Sequence, residues 1–181
     1  MKDNRKELIL ITGGARSGKS SWAVRYIEHN FKSYMLIATA IAEDKEMEER
    51  IQRHKMERGH RWKVVEEPFE ITECIEENSH GFDVILVDCL SIWLSNILLK
   101  RPQMVERYMD NLIDMLSYKN INLILVSNEV GMGVVPAYKL GREYRDLLGG
   151  LNQRIARIAD RVILMISGLP LMLKGGRVDA L

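Results

Sequence analysis

Residues 13–20, GGARSGKS, carry the spacing G-x-x-x-x-G-K-S: Gly13, four residues, then Gly18, Lys19 and Ser20. Glycines let a backbone curl until successive N–H groups face one concavity, and that concavity suits phosphate oxygens. A helix starting there adds its positive N-terminal end. Lys19 is placed to reach the outer phosphates of a nucleoside triphosphate, and the Ser20 hydroxyl is a hard oxygen donor for Mg²⁺. Gly14, Ala15, Arg16 and Ser17 complete the loop. A second apolar run, DVILVD, ends in Asp88. A carboxylate at a strand end is the usual Mg²⁺ partner of such a loop, although an Asp there also serves as a helix N-cap.

These groups need elements to hold them. Short apolar runs alternate with amphipathic stretches. Residues 8–12 (LILIT), 34–39 (YMLIAT), 83–88 and 122–127 (NLILVS) read as strands covered on both faces. Residues 63–65 read as a shorter strand, and 161–167 and 171–174 as the last two. Helices are expected over 20–30, 43–58, near 70–77, from Val105 through Leu116, and along 140–158 with a weak point at Gly149-Gly150. Pro68, Pro102, Pro136 and Pro170 read as punctuation between elements. Strand–helix alternation implies an α/β fold: one mostly parallel sheet with right-handed crossovers and helices on both faces. Ligands of such sheets bind beyond the carboxyl ends of the strands. One domain spans 1–181, with residues 1–6 a polar extension.

Composition narrows the classes. The 181 residues include 26 basic and 25 acidic side chains, interspersed, for a net charge of +1. That balance argues against a nucleic-acid-binding face or a polybasic membrane patch. The apolar run after the polar N-terminus is too short for a signal peptide or a membrane span, so a cytoplasmic location is expected. Cys74 and Cys89 lack metal-ligand spacing and read as reduced thiols. His29, His60 and His80 read as surface residues, and Trp22, Trp62 and Trp93 as core or interface groups.

Three further segments bear on the reaction. In RIQRHK, residues 50–55, His54 shares a helical face with Met47 and Ile51. On spacing alone a core-facing histidine is the simpler reading. SNEVGMGVVP, residues 127–136, follows a strand and so belongs at the ligand edge. Its Gly131 and Gly133 let backbone approach a ligand or merely serve turns, and Glu129 offers a carboxylate to magnesium or substrate. Residues 144–162, YRDLLGGLNQRIARIADRV, form an amphipathic helix running into a strand.

Together with LILITGGARSGKS, YMLIATA, W-K-V-V-E and ILVDCLSIWLSN, these segments resemble the bifunctional adenosylcobinamide kinase/adenosylcobinamide-phosphate guanylyltransferase family over nearly the whole chain. The resemblance implies a single-domain P-loop NTPase fold of the RecA-like kind. It implies phosphorylation of adenosylcobinamide by ATP or GTP, then transfer of GMP from GTP to adenosylcobinamide phosphate. By the same resemblance His54 is the histidine that becomes guanylylated, and Lys19 serves phosphoryl transfer. Ala38, Thr39 and Ala40 match a nucleotide-contacting turn. Lys55, Met56, Glu57 and Arg58 match further GTP contacts, as do Glu66 and Asp88. Asp88 stands where some members carry Glu, and either carboxylate suits magnesium. A homo-oligomer, a trimer, is implied as well. Two other readings use the phosphate loop but not His54: a kinase for another small molecule, and a non-catalytic nucleotide switch.

Overall fold

The computed structural model describes residues 6–41 and 61–176. Its strands are β1 (Leu8–Gly13), β2 (Tyr34–Ala38), β3 (Lys63–Glu66), β4 (Val84–Asp88), β5 (Asn122–Val126), β6 (Arg161–Ile166) and β7 (Leu169–Lys174). They form one sheet in the order β3-β2-β4-β5-β1-β6-β7. Every neighbouring pair is parallel except β6 with β7.

The helices are α1 (Lys19–Asn30), α2 (Ile71–Asn78), α3 (Leu90–Lys100), α4 (Val105–Ser117) and α5 (Lys139–Ile158). Side chains alternate between the two faces of each strand. Leu8, Leu10, Ile85, Val87, Leu123 and Leu125 pack on one face with residues of α2, α3, α4 and α5. Ile9, Ile11, Leu86 and Val126 pack on the other with Trp22, Ala23 and Ile27 of α1 and with Trp62. A strand buried on both faces has no polar side to show, which is why the central strands read as continuous apolar runs.

Four expectations meet a correction or a limit. Helix α3 adds to the elements expected from sequence. Its segment LSIWLSNILLK buries Leu90, Ser91, Trp93, Leu94, Ile97 and Leu98, while apolar Ile92 and Leu99 stand on its less covered side, so no clean polar stripe marks a helical period. Helix α5 runs unbroken through Gly149-Gly150, held by the buried Leu148, Leu151 and Ile155 on either side. Pro170 lies inside β7 instead of between elements. That strand is the sheet edge, where a missing N–H is tolerated. The helix expected over 43–58 lies outside the described residues.

The two α5 glycines carry a prediction. A Cβ at either position would meet nothing within 4 Å. Glycine in a helix interior costs about 0.5–1 kcal/mol relative to alanine. Gly149→Ala and Gly150→Ala should therefore each raise unfolding free energy by about that amount in urea titration. A loss of stability would mean that another surface occupies the space.

Cys74 and Cys89 are free and buried. Burial, helped by the nearby Glu67 and Glu77 charges, pushes the Cys74 thiol up to about 11. Trp22, Trp62 and Trp93 are buried, while His29 and His80 are exposed and His60 lies outside the described residues. Among the described residues no helix is long and apolar enough to cross a membrane.

Candidate nucleotide-binding site

Strand register brings those expected site residues that are described, among them Ala38, Glu66 and Asp88, to one edge. Ala38 lies opposite Glu66 on β3 and Asp88 on β4, and Asp88 lies opposite Val126 on β5. Val126 is in turn opposite Ile11, two residues before Gly13. This is the carboxyl edge of the parallel strands, where α/β sheets bind ligands.

The loop after β1 is tightly specified. Gly13, Arg16 and Gly18 have φ of 147°, 57° and 92°. A Cβ on Gly13 would sit 2.5 Å from the Met165 carbonyl oxygen and 2.8 Å from Ser17 Oγ. One on Gly18 would sit 3.2 Å from Gly168 Cα. The β6–β7 turn, Ser167-Gly168, has φ of 52° and 83°. Two consecutive positive values are the signature of a tight hairpin turn. Its Gly168 N–H donates to the Ser17 carbonyl at 3.0 Å. The final hairpin thus braces the phosphate loop from one side.

The SNEVGMG segment braces it from the other. Glu129 N–H donates to the Gly13 carbonyl at 3.0 Å. The Glu129 carboxylate accepts the Gly131 N–H at 2.8 Å, closing its own turn. Asn152 of α5 donates to the Asn128 carbonyl at 3.0 Å. Gly13→Ala should therefore cost about 3 kcal/mol of stability, from backbone strain plus collision with Met165, and weaken nucleotide binding. Urea unfolding and nucleotide titration measure both. A variant as stable as wild type would mean the loop has another shape.

Lys19 is buried, and its ammonium donates to the Gly13 carbonyl at 2.9 Å and the Gly14 carbonyl at 2.7 Å. Burial holds its pKa below the ordinary lysine value, against the opposing pull of Cys89 and Asp88. Ser20 Oγ donates to Asp88 Oδ1 at 3.1 Å. A hydroxyl and a carboxylate oxygen so close are hard donors that fit Mg²⁺, which takes few protein ligands and completes its shell with phosphate and water.

The remaining expected residues divide. Gly14, Ala15 and Arg16 are exposed on the loop, and Ser17 is buried. Ala38 and Ala40 are half-buried and Glu66 is exposed. Thr39 is buried; its hydroxyl donates to the Cys89 carbonyl at 2.8 Å and accepts the Cys89 N–H at 2.9 Å. His54, Lys55, Met56, Glu57 and Arg58 lie outside the described residues.

The model of the family described as cobinamide kinase / cobinamide phosphate guanyltransferase matches residues 9–173. The chain belongs to that family. It is therefore an enzyme of the bifunctional cobalamin-biosynthesis group. It is 42% identical over 167 residues to the bifunctional adenosylcobalamin biosynthesis protein CobP of Pseudomonas aeruginosa, covering 92% of this chain and 96% of that one. It is 34% identical to the bifunctional adenosylcobalamin biosynthesis protein CobU of Escherichia coli, covering 92% and 99% of the two chains. The protein of the same name from Salmonella typhimurium is 36% identical at the same coverage. Among solved structures, an ATPase domain superposes with a TM-score of 0.50 at 13% identity, covering 88% of this chain and 69% of that one. A protein of Pyrococcus horikoshii gives 0.52 at 12% identity, covering 94% and 87%. These distant likenesses show the fold alone, one mostly parallel sheet with helices on both faces.

Within this family member, sequence reasoning missed the Ser167-Gly168 brace. The signal was present: a Ser-Gly pair between two apolar runs is a hairpin mark. It also missed the polar side chains of α3, which surface only once that helix is seen.

Proposed function

We propose that this enzyme phosphorylates adenosylcobinamide with ATP or GTP and then transfers GMP from GTP to the product, giving adenosylcobinamide-GDP. The observation that carries the reading is the Lys19, Ser20 and Asp88 cluster at the sheet edge, in a chain of this family.

In the first reaction the substrate hydroxyl oxygen bonds to the γ-phosphorus, the bond to the β-phosphate oxygen breaks, and the hydroxyl proton leaves. Lys19 and the loop N–H groups offset charge on the transferring phosphoryl, and positioning supplies most of the catalysis. Ser20 and Asp88 would hold Mg²⁺, which when bound neutralises phosphate charge. In the second reaction a neutral ring nitrogen of His54 attacks the α-phosphorus of GTP and pyrophosphate leaves. A phosphate oxygen of adenosylcobinamide phosphate then displaces the histidine. The covalent step divides one hard displacement into two easier ones. The resemblance around RIQRHK supports His54 in this role.

A cytoplasmic homotrimer belongs to the same reading. Ile166, Leu169, Leu171 and Leu173 on the final hairpin are 51–71% exposed, an apolar face that supports self-association. Incubation with adenosylcobinamide, GTP and Mg²⁺, followed by mass analysis, should show the phosphate and then the GDP derivative. Phosphate alone would reduce the enzyme to a kinase, and an unchanged corrinoid would refute the reading.

A further inference from the structure

Helix α3 is mostly apolar, and a polar side chain withdrawn from water there needs a partner within the protein. Asn96 is half-buried, and its side-chain amide reaches two backbone carbonyls at once. It donates to Thr39 at 2.8 Å and to Pro68 at 3.2 Å, residues 57 and 28 positions away in sequence. The first carbonyl belongs to the turn leaving β2 and the second to the loop leaving β3. A carboxamide has two N–H donors on one nitrogen, which suits it to join two acceptors. Three residues earlier, Trp93 Nε1 donates to the Phe69 carbonyl at 2.7 Å. The same two exits are also joined directly, Glu67 N–H donating to the Ala38 carbonyl at 3.0 Å.

Thr39 links this arrangement to the metal side of the site. While Asn96 holds its carbonyl, its hydroxyl holds Cys89 through both the N–H and the carbonyl, and its own N–H donates to the Asp88 carbonyl at 3.3 Å. Displacement of the turn therefore reaches the backbone of Asp88.

We propose that Asn96 is a positioning residue of the nucleotide site: it joins the turn at Ala38, Thr39 and Ala40 to the loop after Glu66, so that both face GTP as one fixed wall. It touches no substrate. The proposal rests on the reading in which those positions contact GTP.

The test measures GTP binding to purified folded protein directly, together with the kinetics of phosphoryl transfer. Asn96→Asp keeps the side-chain shape and removes the donors; Asn96→Ala removes the group. Each should raise the Kd and KM for GTP about tenfold while changing kcat at saturating GTP less than about threefold, since small displacements at a site cost this much or more. Asn96→Gln, which keeps the amide one methylene further out, should recover most of the loss. Asn96→Ser, too short to reach both carbonyls, replaces either variant that does not fold, with the same expectation. A merely structural role would lower the thermal midpoint but leave Kd unchanged in the folded fraction, and that result overturns the proposal. Wild type that binds GTP but forms no guanylyl-enzyme would refute the proposed second reaction, while the Asn96 shift in Kd would still decide this one.

Discussion

In the His54→Ala protein, label from GTP carried on the α-phosphate should no longer remain on the chain, while phosphoryl transfer to adenosylcobinamide persists. The expectation follows from dividing the chemistry between two places. Lys19 and Ser20 open α1, directly after the loop that follows β1, whereas His54 belongs to the segment between β2 and β3 in the sequence. Removing a covalent nucleophile typically costs on the order of 10⁴-fold or more, because no neighbour substitutes for the bond it forms. In wild type the retained label should be stable in alkali and labile in acid, as a phosphoramidate is. The attack requires neutral imidazole, so labelling should weaken in acid as the ring becomes protonated. Equal labelling of wild type and His54→Ala would remove His54 from the mechanism.

Lys19→Ala should have the complementary effect, lowering phosphoryl transfer on the order of 10³-fold, the scale of losing a fixed cation at a transferring phosphoryl group. The pH profile offers a second reading of the same residue. Burial holds the Lys19 pKa below the ordinary lysine value of 10.5. The ammonium is therefore lost at lower pH than from a surface lysine. Nucleotide affinity, which needs that charge, should fall as pH rises through the lowered value, and Lys19→Ala should lack this alkaline limb. Fold stability has the opposite sign. Between the lowered folded value and 10.5 the unfolded chain binds more protons, so Lys19's contribution to stability rises with pH across that window. Below the window the cost of burying the charge is fully present. Steady-state rates and nucleotide titrations from neutral to alkaline pH measure the binding side. Phosphoryl transfer within tenfold of wild type in Lys19→Ala would refute the role.

Much of the site was legible because its constraints are local. The glycine spacing of residues 13–20 follows directly on an apolar strand, and the structure shows the reason in the positive φ at Gly13 and Gly18. Asp88 was legible because β4 is apolar until its last residue. What escaped reading depends on distant partners. Helix α3 has no clear amphipathic period because its less covered side also carries apolar residues, Ile92 and Leu99, so its pattern resembles a strand or nothing. Asn96 is one polar residue in that helix, and its meaning comes from carbonyls on two other loops. The Gly149-Gly150 pair is a point of low helix propensity, and packing of Leu148, Leu151 and Ile155 carries the helix through it.

The bracing of the phosphate loop by the last hairpin has a consequence for the order of synthesis. The motif at residues 13–20 leaves the ribosome before the hairpin does, complete in sequence. Its Gly13 packs on Met165 and its Ser17 carbonyl receives the Gly168 N–H, both from far later in the chain. A nascent chain ending before that turn carries the whole motif without the contacts that shape it. Ligands stabilise only states that bind them. Cellular nucleotide should therefore give little help to the partly made chain, and its stabilising effect should arrive abruptly once β6 and the turn after it have emerged.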